Sequence, residues 1–219
     1  MSKVAIIGNA SGTGVFTVAS PNSNVDRVLT LPDESGTVLT GVSSLVAGNL
    51  TGSVPTSAMP AGSVIQVVST VDLSFPTSTA TTFSEISSNW RLAITPKSST
   101  SKLILSAQFC ENRATGPSPT VHQAKFYDVT NSSDVFIGGS SGSRNRATLA
   151  WRGSHQDEND VDEHTMLGIV NSGSTDARTY TIYFRSEATA TVNFSRSAGD
   201  TSTYGWTAPF IFIITEVST

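Results

Sequence analysis

The chain has 219 residues, a formal net charge of −4 and a charged fraction of only 14%. This balance does not favour nucleic-acid binding, which needs a basic surface against the phosphates, and no apolar run is long enough for a membrane helix. Ser and Thr supply about 29% of the residues, and no window shows sustained helical spacing of apolar residues. Because hydroxyl side chains suit strand edges and turns, we expect an all-β protein, made in the cytoplasm without a standard export signal.

The first part of the chain alternates short apolar runs with turn residues. Strands are expected at 15–18, 27–31 and 37–40. One apolar row for each strand is too little for an isolated unit, whereas three copies of the segment can bury these rows against one another. We therefore expect an intertwined attachment or shaft segment over 1–48. Residues 49–63, which are rich in Gly, Ser and Pro, are expected to form an extended connector.

The remainder, 64–219, is expected to form a jelly-roll-like β-sandwich head of about eight strands. Strand 90–95 is expected to pair with 102–107, and 178–184 with 190–194. The last strand is expected to be a core strand that includes Ile213, and the single cysteine, Cys110, to be a buried small hydrophobe. The expected strands are 64–68, 90–95, 102–107, 125–129, 135–138, 166–170, 178–184, 190–194 and 210–217.

Three consecutive motifs in the N-terminal segment resemble a module of phage tail-fibre proteins. They are FTVASPNSN at 16–24, RVLTLPD at 27–33 and SGTVLT at 35–40. The connector GNLTGSVP at 48–55 resembles linkers of the same fibres, and 92–105 is similar to the head domains that follow such linkers. The resemblance implies a homotrimeric virion protein with a β-sandwich head. It covers the first sixty residues well and the remainder in outline, and does not distinguish tail from capsid.

Two patterns imitate enzyme motifs. Residues 4–14 look like a strand entering a dinucleotide-binding glycine turn, and 138–142 satisfy a nucleophile-elbow pattern, with Asp157 and His164 following in hydrolase order. Both motifs require a helix directly afterwards. A strand is expected after the first, and 143–146 begin no amphipathic helix. We therefore expect β-turns and a polar loop, with no catalytic residue, no cofactor and no enzymatic activity.

An acidic segment at 155–164 places five carboxylates between His155 and His164. This composition suits a hard cation or paired acids for glycan cleavage. However, no glycine follows to turn a calcium loop, and Val161 takes a liganding position in the nearest EF-type register. A solvated loop or an inter-subunit salt-bridge segment is the main interpretation, without a metal, and the metal alternative stays open. Asp157 and Asp160 are retained as candidates for binding.

Aromatic residues in turn-rich stretches are the other binding candidates. Trp151 and Arg152 precede the acidic segment, and Tyr204 and Trp206 flank a glycine. Such side chains stack on sugars and anchor interfaces, and they also pack between subunits or cap a core. The expected function is therefore a tail-fibre-type protein that is attached to other virion proteins by its N-terminal segment and displays a trimeric head to a host glycan or protein. The alternatives are a capsid decoration protein or head fibre, and a glycan depolymerase.

Overall fold

The computed structural model describes residues 58–117, 120–153 and 157–219, together with short stretches and single positions between 10 and 55. The chain divides into two units, Met1–Thr51 and Gly52–Thr219. Most of the expected attachment segment 1–48 lies outside the described residues, including the strand expected at 37–40 and all but Val28 of the strand expected at 27–31. Most of the connector before 58 also lies outside them. In the described part, no helix is long and apolar enough to cross a membrane.

The described residues of the second unit form antiparallel strands, with a short 3-10 helix at Ser88–Trp90, so the all-β prediction is confirmed. The strands fall in runs of β-branched, aromatic and hydroxyl residues, which suit a pleated sheet. In chain order they are β1 Val64–Asp72, β2 Thr77–Ser78, β3 Ser84–Glu85, β4 Leu92–Ile94, β5 Lys102–Thr115, β6 Thr120–Asp128, β7 Ser133–Val135, β8 Leu149–Gly153, β9 Asp162–Asn171, β10 Arg178–Ser186, β11 Thr191–Phe194 and β12 Phe210–Val217.

These strands form two sheets of six strands each. Sheet A has the order β1-β12-β5-β11-β2, with β9 also paired to β5, and sheet B has the order β3-β10-β6-β7, with β4 on β10 and β8 on β6. All pairs are antiparallel. Successive side chains of a strand face opposite sides, so each sheet has one inner and one outer face.

Aromatic rings fill the space between the two inner faces. Trp90 is fully buried, stacks on Phe210 with ring centroids 3.8 Å apart, and donates its indole N–H to Asp72 over 3.0 Å. Phe126 of sheet B packs against Phe212 of sheet A, with centroids 5.7 Å apart. Rings of this size bury much apolar area each, so they contribute strongly to the free energy that holds the two sheets together.

The expected strands are largely found, but two expected pairings are wrong. Strand β4 pairs with β10 in sheet B, while β5 pairs with β12 and β9 in sheet A. Strand β10 pairs with β3, β4 and β6, while β11 pairs with β5 and β2. In both cases, strands that are consecutive along the chain lie on opposite sides of the core. Loop length alone does not distinguish a hairpin within one sheet from a crossing between sheets.

Two expected core positions also need correction. In β12 the even-numbered residues face the core, so Ile214 is fully buried, while Ile213 faces outward and is partly buried. Cys110 likewise lies on the outer side of β5 and is partly exposed, and burial raises the pKa of its thiol. The cause is the two-residue period of a strand, which sends alternate members of an apolar run to opposite faces.

Candidate functional site

The acidic segment forms a tight turn at one end of the sandwich. Oδ1 of Asp157 accepts the backbone N–H of Asn159 over 2.8 Å, and Oδ2 of Asp160 accepts the backbone N–H of Asp157 over 3.2 Å. The carbonyl oxygen of Asp160 accepts the side-chain amide of Asn112 over 2.6 Å. The side chain of Asp157 is therefore occupied in shaping the turn, and His155 lies outside the described residues.

A second loop packs against this turn and brings in Trp206. Its indole N–H donates to the carbonyl oxygen of Asn159 over 3.0 Å, and the backbone N–H groups of Ala198 and Gly199 donate to the carbonyl oxygen of Glu158 over 2.9 and 3.0 Å. The structure thus brings together two of the predicted binding regions, the 157–160 turn and Trp206, which are separated by more than forty residues in the chain.

A shallow pocket of about 320 Å³ opens beside this contact. Trp206 lines it together with Arg196, Asp200 and Thr201. An indole face with a cation, a carboxylate and a hydroxyl nearby is a suitable set of groups for a sugar, because rings stack on the indole and hydroxyls bond to the polar groups.

The other predicted binding residues are dispersed. Tyr204 is 72% exposed, and Arg152 is exposed on the outer side of sheet B. Trp151 faces the interior instead, where its indole N–H donates to Oε1 of Glu111 over 2.9 Å. Of the two interpretations of Trp151, packing against the core is therefore the one observed, since β8 turns this side chain inward and its neighbour Arg152 outward.

The interior around Trp151 holds a polar cluster that sequence reasoning missed. Glu111 is fully buried, and Nδ1 of the fully buried His122 lies 3.1 Å from its Oε1 atom. Nε2 of His164 lies 3.9 Å from the same oxygen. Of these three residues, only His164 is named from the sequence, as the last residue of the acidic segment. Glu111 follows an apolar run on a strand more than fifty residues away, so no local pattern connects the two.

The nucleophile-elbow pattern at 138–142 lies in an irregular loop between β7 and β8. Ser140 is exposed, Gly142 has a φ of 58°, and no helix follows in the described residues 143–149. His164 packs near Glu111 in the interior. The observed loop agrees with the interpretation of this pattern as a polar loop.

The central rows of the outer face of sheet A hold seven apolar and five uncharged polar side chains, while Lys102 and Glu163 lie in the flanking rows. The registers of β1, β12, β5 and β9 place twelve side chains in three adjacent rows across the sheet, and all twelve are described. None of these twelve positions holds a charged residue. The rows are Val71, Ile211, Gln108 and Thr165; Ser69, Ile213, Ser106 and Leu167; and Val67, Thr215, Ile104 and Ile169.

Several of these residues remain solvent-accessible in the single chain. Val67, Val71 and Leu167 are 56%, 58% and 58% exposed, and Ile169 is 48% exposed. Antiparallel sheets that face water normally place polar side chains on that side. We call these twelve residues the apolar face.

The outer face of sheet B is polar by contrast. Lys125 pairs with Asp134 at 2.6 Å, and Arg91 pairs with Glu85 at 2.7 Å. Arg185 donates to the side-chain oxygen of Gln123 on the neighbouring strand over 2.9 Å. The two outer faces therefore differ, since these charged pairs lie on sheet B and the central rows of sheet A hold no charged residue.

No protein-family model matches the chain, and no curated protein matches it significantly.

Proposed function

We propose that this chain is a structural protein of a phage particle that works as a homotrimer, with its head displayed for contact with the host surface. The motifs at 16–40, which resemble the tail-fibre module, support the virion assignment. The observation that carries the association is the apolar face of sheet A. The N-terminal segment is then the part that attaches to other virion proteins.

The size and chemistry of the apolar face favour a second copy as its occupant. Three rows about 6.8 Å apart on four strands about 4.8 Å apart cover about 400 Å², roughly half of what one partner buries in a standard interface. Val64, which is 57% exposed, lies in the next row, where Lys102 forms a charged margin. An uncharged surface cannot select a partner by opposite charge, so we infer that it meets the same face of other copies of the chain. Two such faces packed against each other would give a two-fold dimer, so in the proposed trimer the three apolar faces turn toward a common three-fold axis.

The strand order supports the further proposal of a jelly-roll topology. We take eight strands as the principal ones, and in chain order they are β1, β4, β5, β6, β8, β9, β10 and β12. Numbered from one to eight in this order, the principal strands of sheet A lie side by side as first, eighth, third and sixth. Sheet B has the order second, seventh, fourth, fifth. This is the arrangement that two interleaved Greek keys produce in a jelly roll.

The pocket lined by Trp206 is the candidate for host contact. Its lining residues are not among the twelve of the apolar face, so the proposed association through sheet A does not use them. A capsid decoration protein or head fibre is the alternative, in which the head acts mainly as a spacer.

The association is tested by native mass measurements with matched charge insertions. We expect a mass of about three chains by light scattering at micromolar concentration, and separated chains for Leu167→Glu or Ile169→Glu, because each buries a charge at the interface. Ala150→Glu is the control, since Ala150 is exposed on the outer side of sheet B. A wild-type monomer, or trimers that survive both apolar-face variants, would rule out this interface.

The place of the protein on the particle is tested by immunogold electron microscopy of intact virions and by competition. A host-contacting tip gives gold at the tail, and the free protein then blocks phage adsorption. A decoration protein gives gold over the capsid and leaves adsorption unchanged. Absence of the protein from purified virions would contradict both versions of the proposal.

A further inference from the structure

Two neighbouring strands bring three side chains that can ligate a metal together on the inner side of sheet A. Glu111 of β5 lies directly opposite Asp162 of β9, and His164 follows two positions later on β9, so all three face the same way. One ligand atom from each of these residues lies within 4.8 Å of the other two. The strand register itself therefore holds the cluster in place.

His164 has a buried ring nitrogen directed into this cluster. Its side chain is only 10% exposed, and its Nε2 atom, 3.9 Å from Oε1 of Glu111, has no hydrogen-bond partner among the described residues. Buried polar atoms in folded proteins nearly always have a partner. The separation is too long for a direct hydrogen bond, but it is close to the roughly 3.4 Å between two ligands that each lie about 2.1 Å from a shared tetrahedral ion.

We propose that Glu111, Asp162 and His164 bind one divalent ion of the zinc type. Imidazole nitrogen and carboxylate oxygen are both ordinary zinc ligands, whereas calcium and magnesium select sites made of oxygen alone. Three protein ligands leave the fourth tetrahedral position to water. Asp162 is only partly buried, so it gives the ion a route from the solvent.

Trp151 and His122 position the carboxylate of Glu111. The indole N–H of Trp151 donates to Oε1 over 2.9 Å, and Nδ1 of His122 lies 3.1 Å from the same oxygen. Outer partners of this kind fix the orientation of a metal ligand, and their loss weakens binding about tenfold to a hundredfold. The site is independent of the proposed function, because it lies on the inner face of sheet A while the association uses the outer face.

Trp151 also provides a local reporter of occupancy. Its ring centroid lies 4.1 Å from that of His164. A paramagnetic ion such as Co²⁺ held by His164 would therefore quench the fluorescence of this tryptophan. The other two tryptophans lie elsewhere: Trp90 stacks on Phe210, and Trp206 lines the surface pocket.

The test uses the full chain without an affinity tag, stripped by a chelator and titrated with Zn²⁺ in a calorimeter. We expect one zinc ion per chain and no binding of Mg²⁺ or Ca²⁺. His164→Gln and Asp162→Asn should each weaken zinc binding by at least about tenfold. Co²⁺ should quench part of the tryptophan emission of the wild type and less of the emission of His164→Gln.

Glu163→Gln is the matched control. Glu163 lies between the two ligands of β9 but faces the other side of the sheet, where its carboxylate accepts the side-chain amide of Gln108. Its replacement should leave zinc binding unchanged. The proposal is overturned if the wild type does not bind zinc. It is also overturned if His164→Gln, Asp162→Asn and Glu163→Gln all weaken zinc binding equally, or if His164→Gln and Asp162→Asn both leave the zinc affinity unchanged. Circular dichroism checks folding, and if His164→Gln does not fold, the partly exposed Asp162→Asn decides the outcome.

Discussion

Adjacent isoleucines of the last strand predict different responses to the same substitution. Ile214 has no exposed surface and faces the core, whereas Ile213 faces outward between Ser69 and Ser106 of the neighbouring strands. Ile214→Ala leaves an enclosed cavity and should lower the free energy of unfolding by about 3–4 kcal/mol. Ile213→Ala in a separated chain should lower it by about 1–2 kcal/mol, because only transfer free energy is lost and the space is open to water.

Urea unfolding, followed by tryptophan fluorescence over a range of chain concentrations, measures both effects. If the apolar face is an interface, Ile213 becomes further buried on association. Ile213→Ala should then lower the unfolding midpoint more at high concentration than at low concentration, while the effect of Ile214→Ala stays constant. If Ile213→Ala and Ile214→Ala lower the free energy of unfolding equally at low chain concentration, the assignment of Ile214 to the core and Ile213 to the outer face is refuted. A concentration-independent effect of Ile213→Ala would refute the interface.

A buried carboxylate and a close glycine contact give the remaining predictions. Burial acts to raise the pKa of Glu216, but hydrogen bonds from Ser101 and from backbone N–H groups outweigh it and hold the pKa below its ordinary value of 4.5. The stability that this carboxylate contributes is complete above that value and is lost as the pH falls through the folded-state pKa, so the urea midpoint should fall in acid. Glu216→Gln should flatten this dependence and cost about 1–3 kcal/mol at pH 7, and an unchanged acid profile would contradict this. Gly168→Ala would place a Cβ atom 3.0 Å from the ring of Phe126 and 3.3 Å from Cβ of Phe136. It should cost about 1–2 kcal/mol in the same urea assay, and a gain in stability would show that the ring moves aside.

Local sequence patterns predicted the strands better than their partners. The run at 210–217 is a strand with the predicted bounds, and the run expected at 166–170 lies within β9. The predicted hairpin across 130–133 is present, with Asp128 paired to Ser133. The pairing of 90–95 with 102–107 was wrong because the connecting loop crosses between the sheets. Glu216, far along the chain, accepts the backbone N–H groups of Lys97 and Ser98 in that loop.

The candidate sites were predicted only in part. Trp206 and the 157–160 turn were both selected from composition, and the structure shows that they contact each other. The apolar face was missed, although a signal for it was present. From 210 to 214 every residue of the last strand is a large hydrophobe. A strand with apolar residues at both its odd-numbered and its even-numbered positions has two apolar faces.

By itself, the sequence determined that this protein is all-β and where most of its strands and turns lie, because alternation and turn chemistry are properties of a few adjacent residues. Only the tertiary structure decided which sheet each strand joins and which side of each strand faces the core. It also decided that Glu111 meets Asp162 and His164. These outcomes depend on registers between distant segments, such as Gln66 with Glu216 across 150 positions, and no local pattern carries that information.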